Sequence, residues 1–197
     1  MDRHERWKNF HRKKSAPITI TPKVQSKLRL MVSSKNKKND IEADLKNWLS
    51  KAQRIVIAGI GNSLRKDDFV GVEIVRSLQN KVSRFVYLIE CETVPESFIE
   101  PITEFKPTHI LIIDAAMLNL SPGSSKIIEH SEIVGQTAIS THALPLRIFC
   151  EYLAETTGAK ITLLVIQPKD TSFGEGLTSK LKETATNLTN LLSKVLP

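Results

Sequence analysis

Cysteine is scarce in this chain, with two residues in 197, and glycine and proline are few at 8 and 9. That scarcity excludes a disulfide-built mini-protein and a collagen-like repeat. Long apolar runs are also missing. The most continuous, residues 110–113 and 161–166, fall well short of the roughly 18–20 residues of a membrane span. The first 14 residues are charged where a secretory signal would carry its apolar stretch. Cys91 and Cys150 are therefore expected to be reduced thiols in a cytoplasmic protein. What is present is a 41% share of hydrophobic residues, enough for the core of one ordinary domain with an appendage.

The net charge of +7 is unevenly placed. Residues 1–52 carry 14 basic and 5 acidic side chains, a net of +9, whereas residues 53–197 carry 14 basic and 16 acidic, a net of −2. A nucleic-acid-binding domain would carry its basic stripe on the folded part, and the charge here argues against that class. Residues 1–38 read as a solvated, largely disordered basic extension. Trp7 and Phe10, three apart, leave open a short basic amphipathic helix formed on a partner, and the sequence does not identify that partner. Asn39 and Glu42 have capping-box spacing, and Ile41, Leu45 and Leu49 follow at four-residue intervals. Residues 39–52 are thus expected to be a cap and a leading helix over 40–52.

The body, 53–197, alternates strands and helices. Residues 54–58, 85–89, 109–113, 126–129 and 161–166 read as strands. Helices are expected after Asp67-Asp68 through Val72, Ile74, Val75 and Leu78, and over 95–105. A further helix should run from Ser140-Thr141 through Ile148 and Leu153 to Gly158, and a long C-terminal one should carry Leu177, Leu181, Leu188, Leu192 and Val195. Such alternation predicts an α/β fold, a mostly parallel sheet covered on both faces.

In such sheets ligands collect beyond the carboxyl ends of the strands. Three loops there carry the informative side chains. The first, GIGNSLRKDD, partly matches a dinucleotide fingerprint, with Glu90 as a possible ribose acid, but Leu64 stands where the third glycine belongs. One of its adjacent acids suffices for capping, which leaves the other for the cleft. The second follows HILIIDAA, where Asp114 ends an apolar strand; the third is STHALPL, with His142. Singly, each has a bland reading as a cap, a turn former or a packing residue. Together, two carboxylates and an imidazole make an incomplete coordination shell for a divalent transition metal, with positions open to another molecule. There is no serine-hydrolase elbow, no zincin helix motif and no Walker loop. Cys91 and Cys150 lack metal-site spacing, and Cys150 reads as a core residue. His4, His11 and His130 carry little signal, and His109 opens a strand where it is expected to be buried.

In their order and spacing, GIGNSLRKDDFVGVEIV, TVPES, ILIIDAAMLNLSPG, STHALPL and IQPKDTSFGEGLT resemble the nickel–iron hydrogenase maturation endopeptidases of the HycI/HybD type. The likeness covers the whole body. It implies a three-layer fold with a twisted, mostly parallel five-stranded sheet between helices. It implies Asp68, Asp114 and His142 as the metal-contacting trio, with Asp68 and Asp114 as catalytic acids of an aspartic-type endopeptidase. The partner implied is a hydrogenase large-subunit precursor whose C-terminal extension is removed after nickel insertion. Nickel would arrive with the substrate, and no organic cofactor is expected. Two features depart from the family pattern. Cys91-Glu92 stand where many members have Gly-Gly or Gly-Thr, placing a soft thiol near the cleft, and the basic extension lies outside the family core. Competing readings are a nucleotide- or partner-binding α/β module and a related peptidase with a non-hydrogenase substrate.

Overall fold

The computed structural model describes residues 40–129 and 143–197. The extension over 1–38, Asn39, the segment before the fourth helix and His142 lie outside the described residues. Five strands form one sheet in the order β2-β1-β3-β5-β4. They are β1 (Ile55–Ile60), β2 (Val86–Glu92), β3 (His109–Ala115), β4 (Ser125–Glu129) and β5 (Lys160–Ile166). The pairs β1–β2, β1–β3 and β3–β5 are parallel, and only β4 runs antiparallel, beside β5. The five expected strands are all present, in the expected mostly parallel sheet.

Alternation along the strands divides the core. Ile55 and Ile57 of β1, with Leu111 and Ile113 of β3, join Leu45 of α1 (Ile41–Leu49), Ile74 and Leu78 of the α2 segment (Val70–Ser77 and its cap), and Leu181, Leu188 and Leu192 of the C-terminal helix α5 (Ser179–Val195). On the other face, Val56, Ala58 and Ile60 with Ile110 and Ile112 meet Ile102 of α3 (Ile99–Phe105) and Leu146, Phe149 and Leu153 of α4 (Ala143–Thr157). β1 and β3 are buried along their whole length, as central strands of a doubly covered sheet must be.

Three local differences have clear causes. The cap of α1 is Asp40, whose carboxylate accepts from the Ala43 amide at 3.2 Å, so the observed cap lies one residue after the expected Asn39. The helix expected over 95–105 breaks into a 3₁₀ turn, Pro95–Phe98, and α3. Pro101 lacks an amide hydrogen, so it fits the first turn of a helix begun at Ile99 but would interrupt one begun at Pro95. β3 runs two residues past Ile113, so Asp114 belongs to the strand itself and pairs in register with Val165.

Glycine sets how closely α2 approaches the sheet. A Cβ on Gly59 would stand 2.5 Å from the Gly71 carbonyl oxygen, and one on Gly71 would collide with the carbonyl oxygen of Ile113. Without side chains there, the start of α2 rests directly on the carboxyl ends of β1 and β3.

Candidate active site

The Gly71 contact carries the first loop to the end of β3. Asp67 and Asp68 lie in a 3₁₀ turn, Lys66–Phe69, that leads straight into α2, and both are buried. Asp68 is three residues ahead of Gly71, and Asp114 directly follows Ile113, whose carbonyl Gly71 faces. The two acids therefore stand at one edge of the sheet. Asp68 Oδ2 accepts the Asn62 amide at 2.9 Å, which folds the Gly61–Asn62 corner around it. Gly61 has φ of +148°, and a Cβ there would run into the Asp68 carbonyl oxygen. Asp114 is buried on the strand face that continues Ile110 and Ile112, the face covered by α3 and α4. Among the described residues, no group of three His, Cys, Asp or Glu side chains could hold a metal ion.

Asp67 has a different task. Its side chain is fully buried and accepts four hydrogen bonds from the loop between β5 and α5. Oδ1 takes the Thr178 amide at 2.7 Å. Oδ2 takes the Lys169 amide at 2.9 Å, the Asp170 amide at 3.0 Å and the Thr178 hydroxyl at 3.0 Å. A carboxylate so occupied has its charge and lone pairs committed to the scaffold. Beside it, Lys66 Nζ donates to Asp170 Oδ2 at 2.6 Å and to Ser172 Oγ at 2.9 Å. The Lys66 hydrogen bond, followed by those of Ser172, holds the Asp170 carboxyl well below the usual carboxylate range. Backbone bonds complete the lock: Gly174 N to Leu64 O and Lys66 N to Gly174 O, both 2.9 Å.

A second tether reaches the loop after Asp114. Gln167, just past β5, accepts the Leu118 amide at 2.7 Å on Oε1, and its backbone bonds Gly123 and Ser124, each at 2.8 Å. Neither Gln167 nor the Lys66–Asp170 pair was legible as functional support from residue types. The only available signal was their membership of the motifs GIGNSLRKDDFVGVEIV, for Lys66, and IQPKDTSFGEGLT, for Gln167 and Asp170.

The neighbouring candidates resolve differently. Glu90, the possible ribose acid, accepts from Arg76 Nη2 at 2.7 Å and from Nε at 3.1 Å. Cys91 is not a cleft thiol, contrary to expectation. It is buried in the core, and burial pushes its thiol up to about 12, so it stays protonated and inert. Cys150, expected in the core, is there, and burial pushes its thiol up to about 12 as well. Glu92 takes φ of +49° at a position where many family members have glycine. A cleft of about 490 Å³ beside α2 and α5, lined among others by Ser63, Phe69, Glu73 and Glu175, has neither Asp68 nor Asp114 in its wall.

A family model described as hydrogenase maturation protease, HycI, matches residues 72–195. The chain belongs to the HycI hydrogenase maturation protease family. A protein of Methanocaldococcus jannaschii assigned as a hydrogenase maturation protease is 38% identical over 156 residues, covering 75% of this chain and 91% of its own. The hydrogenase 3 maturation protease of Escherichia coli is 30% identical over 128 residues, 65% of this chain and 81% of its own. Among solved structures, the HycI hydrogenase maturation protease from Thermococcus kodakarensis superposes with a TM-score of 0.72 at 36% identity, covering 77% of this chain and 97% of that one. HybD from E. coli superposes with a TM-score of 0.59 at 25% identity, covering 72% and 93%. As a hydrogenase maturation protease, the chain is a hydrolase of the endopeptidase kind, and its family implies a hydrogenase precursor as substrate. The family model includes Asp114 and begins four residues after Asp68. No described helix is long and apolar enough to cross a membrane.

Proposed function

We propose that this protease removes the C-terminal extension of a nickel–iron hydrogenase large-subunit precursor once nickel has been inserted, and that it works in the cytoplasm. The observation that carries the proposal is the placement of Asp68, in the turn before α2, and Asp114, near the end of β3, two buried acids at one edge of the sheet. In this reading Asp68, Asp114 and His142 grip nickel that belongs to the substrate. Their oxygen and nitrogen donors leave positions that the precursor's own thiolates fill, a mixed set suited to nickel. Seating the metal brings one peptide bond to the two carboxylates, where proximity lowers the barrier. One of the carboxylates then takes a proton from the attacking water as general base, which is the aspartic-type step. Asp67 is excluded from that role because its oxygens already hold the loop between β5 and α5.

The test is incubation of the protein with nickel-loaded and nickel-free large-subunit precursors, read by mass. Loaded precursor should lose its extension and empty precursor should persist. Equal processing of both would remove nickel as the signal and recast the carboxylates as an ordinary acid–base pair. The nucleotide-binding alternative is disfavoured, since Leu64 replaces the third glycine and Arg76 occupies the only ribose-acid candidate.

A further inference from the structure

Large apolar side chains left in water are unevenly distributed over this molecule. Of the eight exposed among the described residues, five lie on loops at the carboxyl edge of the sheet: Leu64, Val94, Met117, Leu120 and Phe173. They come from the loops after β1, β2, β3 and β5, so they surround the edge at which Asp68 and Asp114 stand. Phe173 is the extreme case, 82% exposed. An apolar cluster on a rim of this kind marks a surface that another molecule covers.

Two of the five are held in fixed register. Arg65 and Gly174 form a parallel bridge, closed by the Gly174 N to Leu64 O and Lys66 N to Gly174 O bonds. These bonds hold the backbone of Leu64 against that of Gly174, the residue after Phe173. The Asp67 hydrogen bonds and the Lys66–Asp170 ion pair fix both backbones. Met117 and Leu120 flank the segment that Gln167 tethers. These apolar groups are presented on ordered backbone, so covering them costs little loop entropy.

We infer that Leu64 and Phe173 form a ledge on which the precursor's chain is held in extended form, with apolar side chains next to the scissile bond lying against it. This rests on the peptidase reading above. Leu64 is four residues before Asp68, and its carbonyl holds the Gly174 amide, so a peptide bond brought to Asp68 has its flanking residues within a few steps of about 3.3 Å of both loops. Charge does not choose the occupant, since Arg65 and Lys169 on the loops after β1 and β5 are matched by Glu175 on the latter and Glu92 at the end of β2, all four exposed. Apolar complementarity does. Ledge and carboxylates thus divide the work, the first selecting the sequence around the bond and the second acting on it.

The experiment uses the full chain with nickel-loaded precursor. Leu64→Ser and Phe173→Ser should each raise KM about 10-fold with kcat little changed, as loss of burial of one large apolar side chain requires. Phe173→Leu should restore most of the loss, and the thermal midpoint of Phe173→Ser should stay at the wild-type value because that side chain is largely in water already. In parallel, Phe173 replaced by photoreactive benzoyl-phenylalanine should cross-link to the precursor's C-terminal segment, mapped by peptide mass. Cross-links to a second copy of this chain, or to its own residues 1–39, would overturn the ledge by giving it another occupant. Unchanged KM with cleavage intact would overturn the ledge alone. Wild-type protein that leaves every loaded precursor uncut would overturn the peptidase reading, and the ledge with it.

Discussion

His109 opens β3 and Asp114 stands near its far end, both almost wholly buried, yet their surroundings have little in common. At the amino end the neighbours come from one earlier stretch of chain, residues 48–54, and from Thr108 beside it. His109 Nδ1 lies 3.0 Å from the Thr108 hydroxyl, and its ring meets Trp48 of α1 edge-on at 4.9 Å. Thr108 in turn receives the Gln53 amide at 3.0 Å and donates to the Arg54 carbonyl at 3.0 Å, tying the α1–β1 connection to β3. At the carboxyl end the neighbours are distant in sequence and open at the rim. Asp67 gathers donors more than 100 residues away, while apolar side chains ring the edge in water. Burial of an ionisable group is therefore no sign of function by itself. At His109 and Asp67 it serves packing and scaffold; at Asp68 and Asp114 the role proposed above is chemical.

The sharpest way to break this comparison is to neutralise the open end. Asp68→Asn and Asp114→Asn keep the shape and remove the charge, so cleavage of loaded precursor should fall by roughly 10²–10⁴ with the fold retained. Single-turnover mass assays with circular dichroism would measure both. If activity survives either change, the carboxyl edge is structural like the amino one.

Asp67→Ala should give the next largest effect, on stability. It would leave three amides and one hydroxyl without an acceptor. At about 1–3 kcal/mol for each buried donor that water does not rescue, the expected loss is about 3–5 kcal/mol. Urea unfolding would read it as a lowered midpoint with unchanged slope. A midpoint equal to that of wild type would mean the loop lock is not what holds the edge.

At the amino end the effect is a pH slope. Burial first, and then Lys160, lower the His109 value below its ordinary 6.5. A depressed folded value means that stability is fully present above 6.5 and is lost as pH falls through the lower folded value. Wild-type thermal midpoints should therefore drop more steeply below pH 6.5 than those of His109→Gln, which cannot charge. Parallel curves would show that the ring finds a partner when protonated.

The smallest effect is expected at Cys91. With its thiol pushed up to about 12, native protein should resist alkylation near neutral pH and react only on unfolding. Cleavage should be unchanged in Cys91→Ala. Rapid labelling in the native state would return the thiol to the cleft.

The fold was legible because its signals are local. Apolar runs bounded by turn residues mark central strands, and heptad-like leucines mark α5. Asp68 and Asp114 stood out through the motifs that hold them and not through residue type, since singly each also reads as a cap or a turn former. Asp67 could not be separated from Asp68 by type, since the difference is made by Lys169, Asp170 and Thr178, which fold back from another part of the chain. Cys91 misled for a related reason. Its motif position lies at the cleft, but the register shift between Gly59 and Ile60 in the β1–β2 pairing accompanies a side chain turned into the core. Gln167 and Lys66 act through hydrogen bonds whose partners no periodicity announces.

The contact between Gly71 and the Ile113 carbonyl makes the spacing of the two acids a property of main chain against main chain. Side chains hop between rotamers, and a gap set by them breathes with temperature; a gap set by two backbones has no rotamer to lose. Such a gauge tolerates drift in the surrounding core residues while failing at a single added methyl. Here it sets how near the turn that carries Asp68 stands to the strand that carries Asp114.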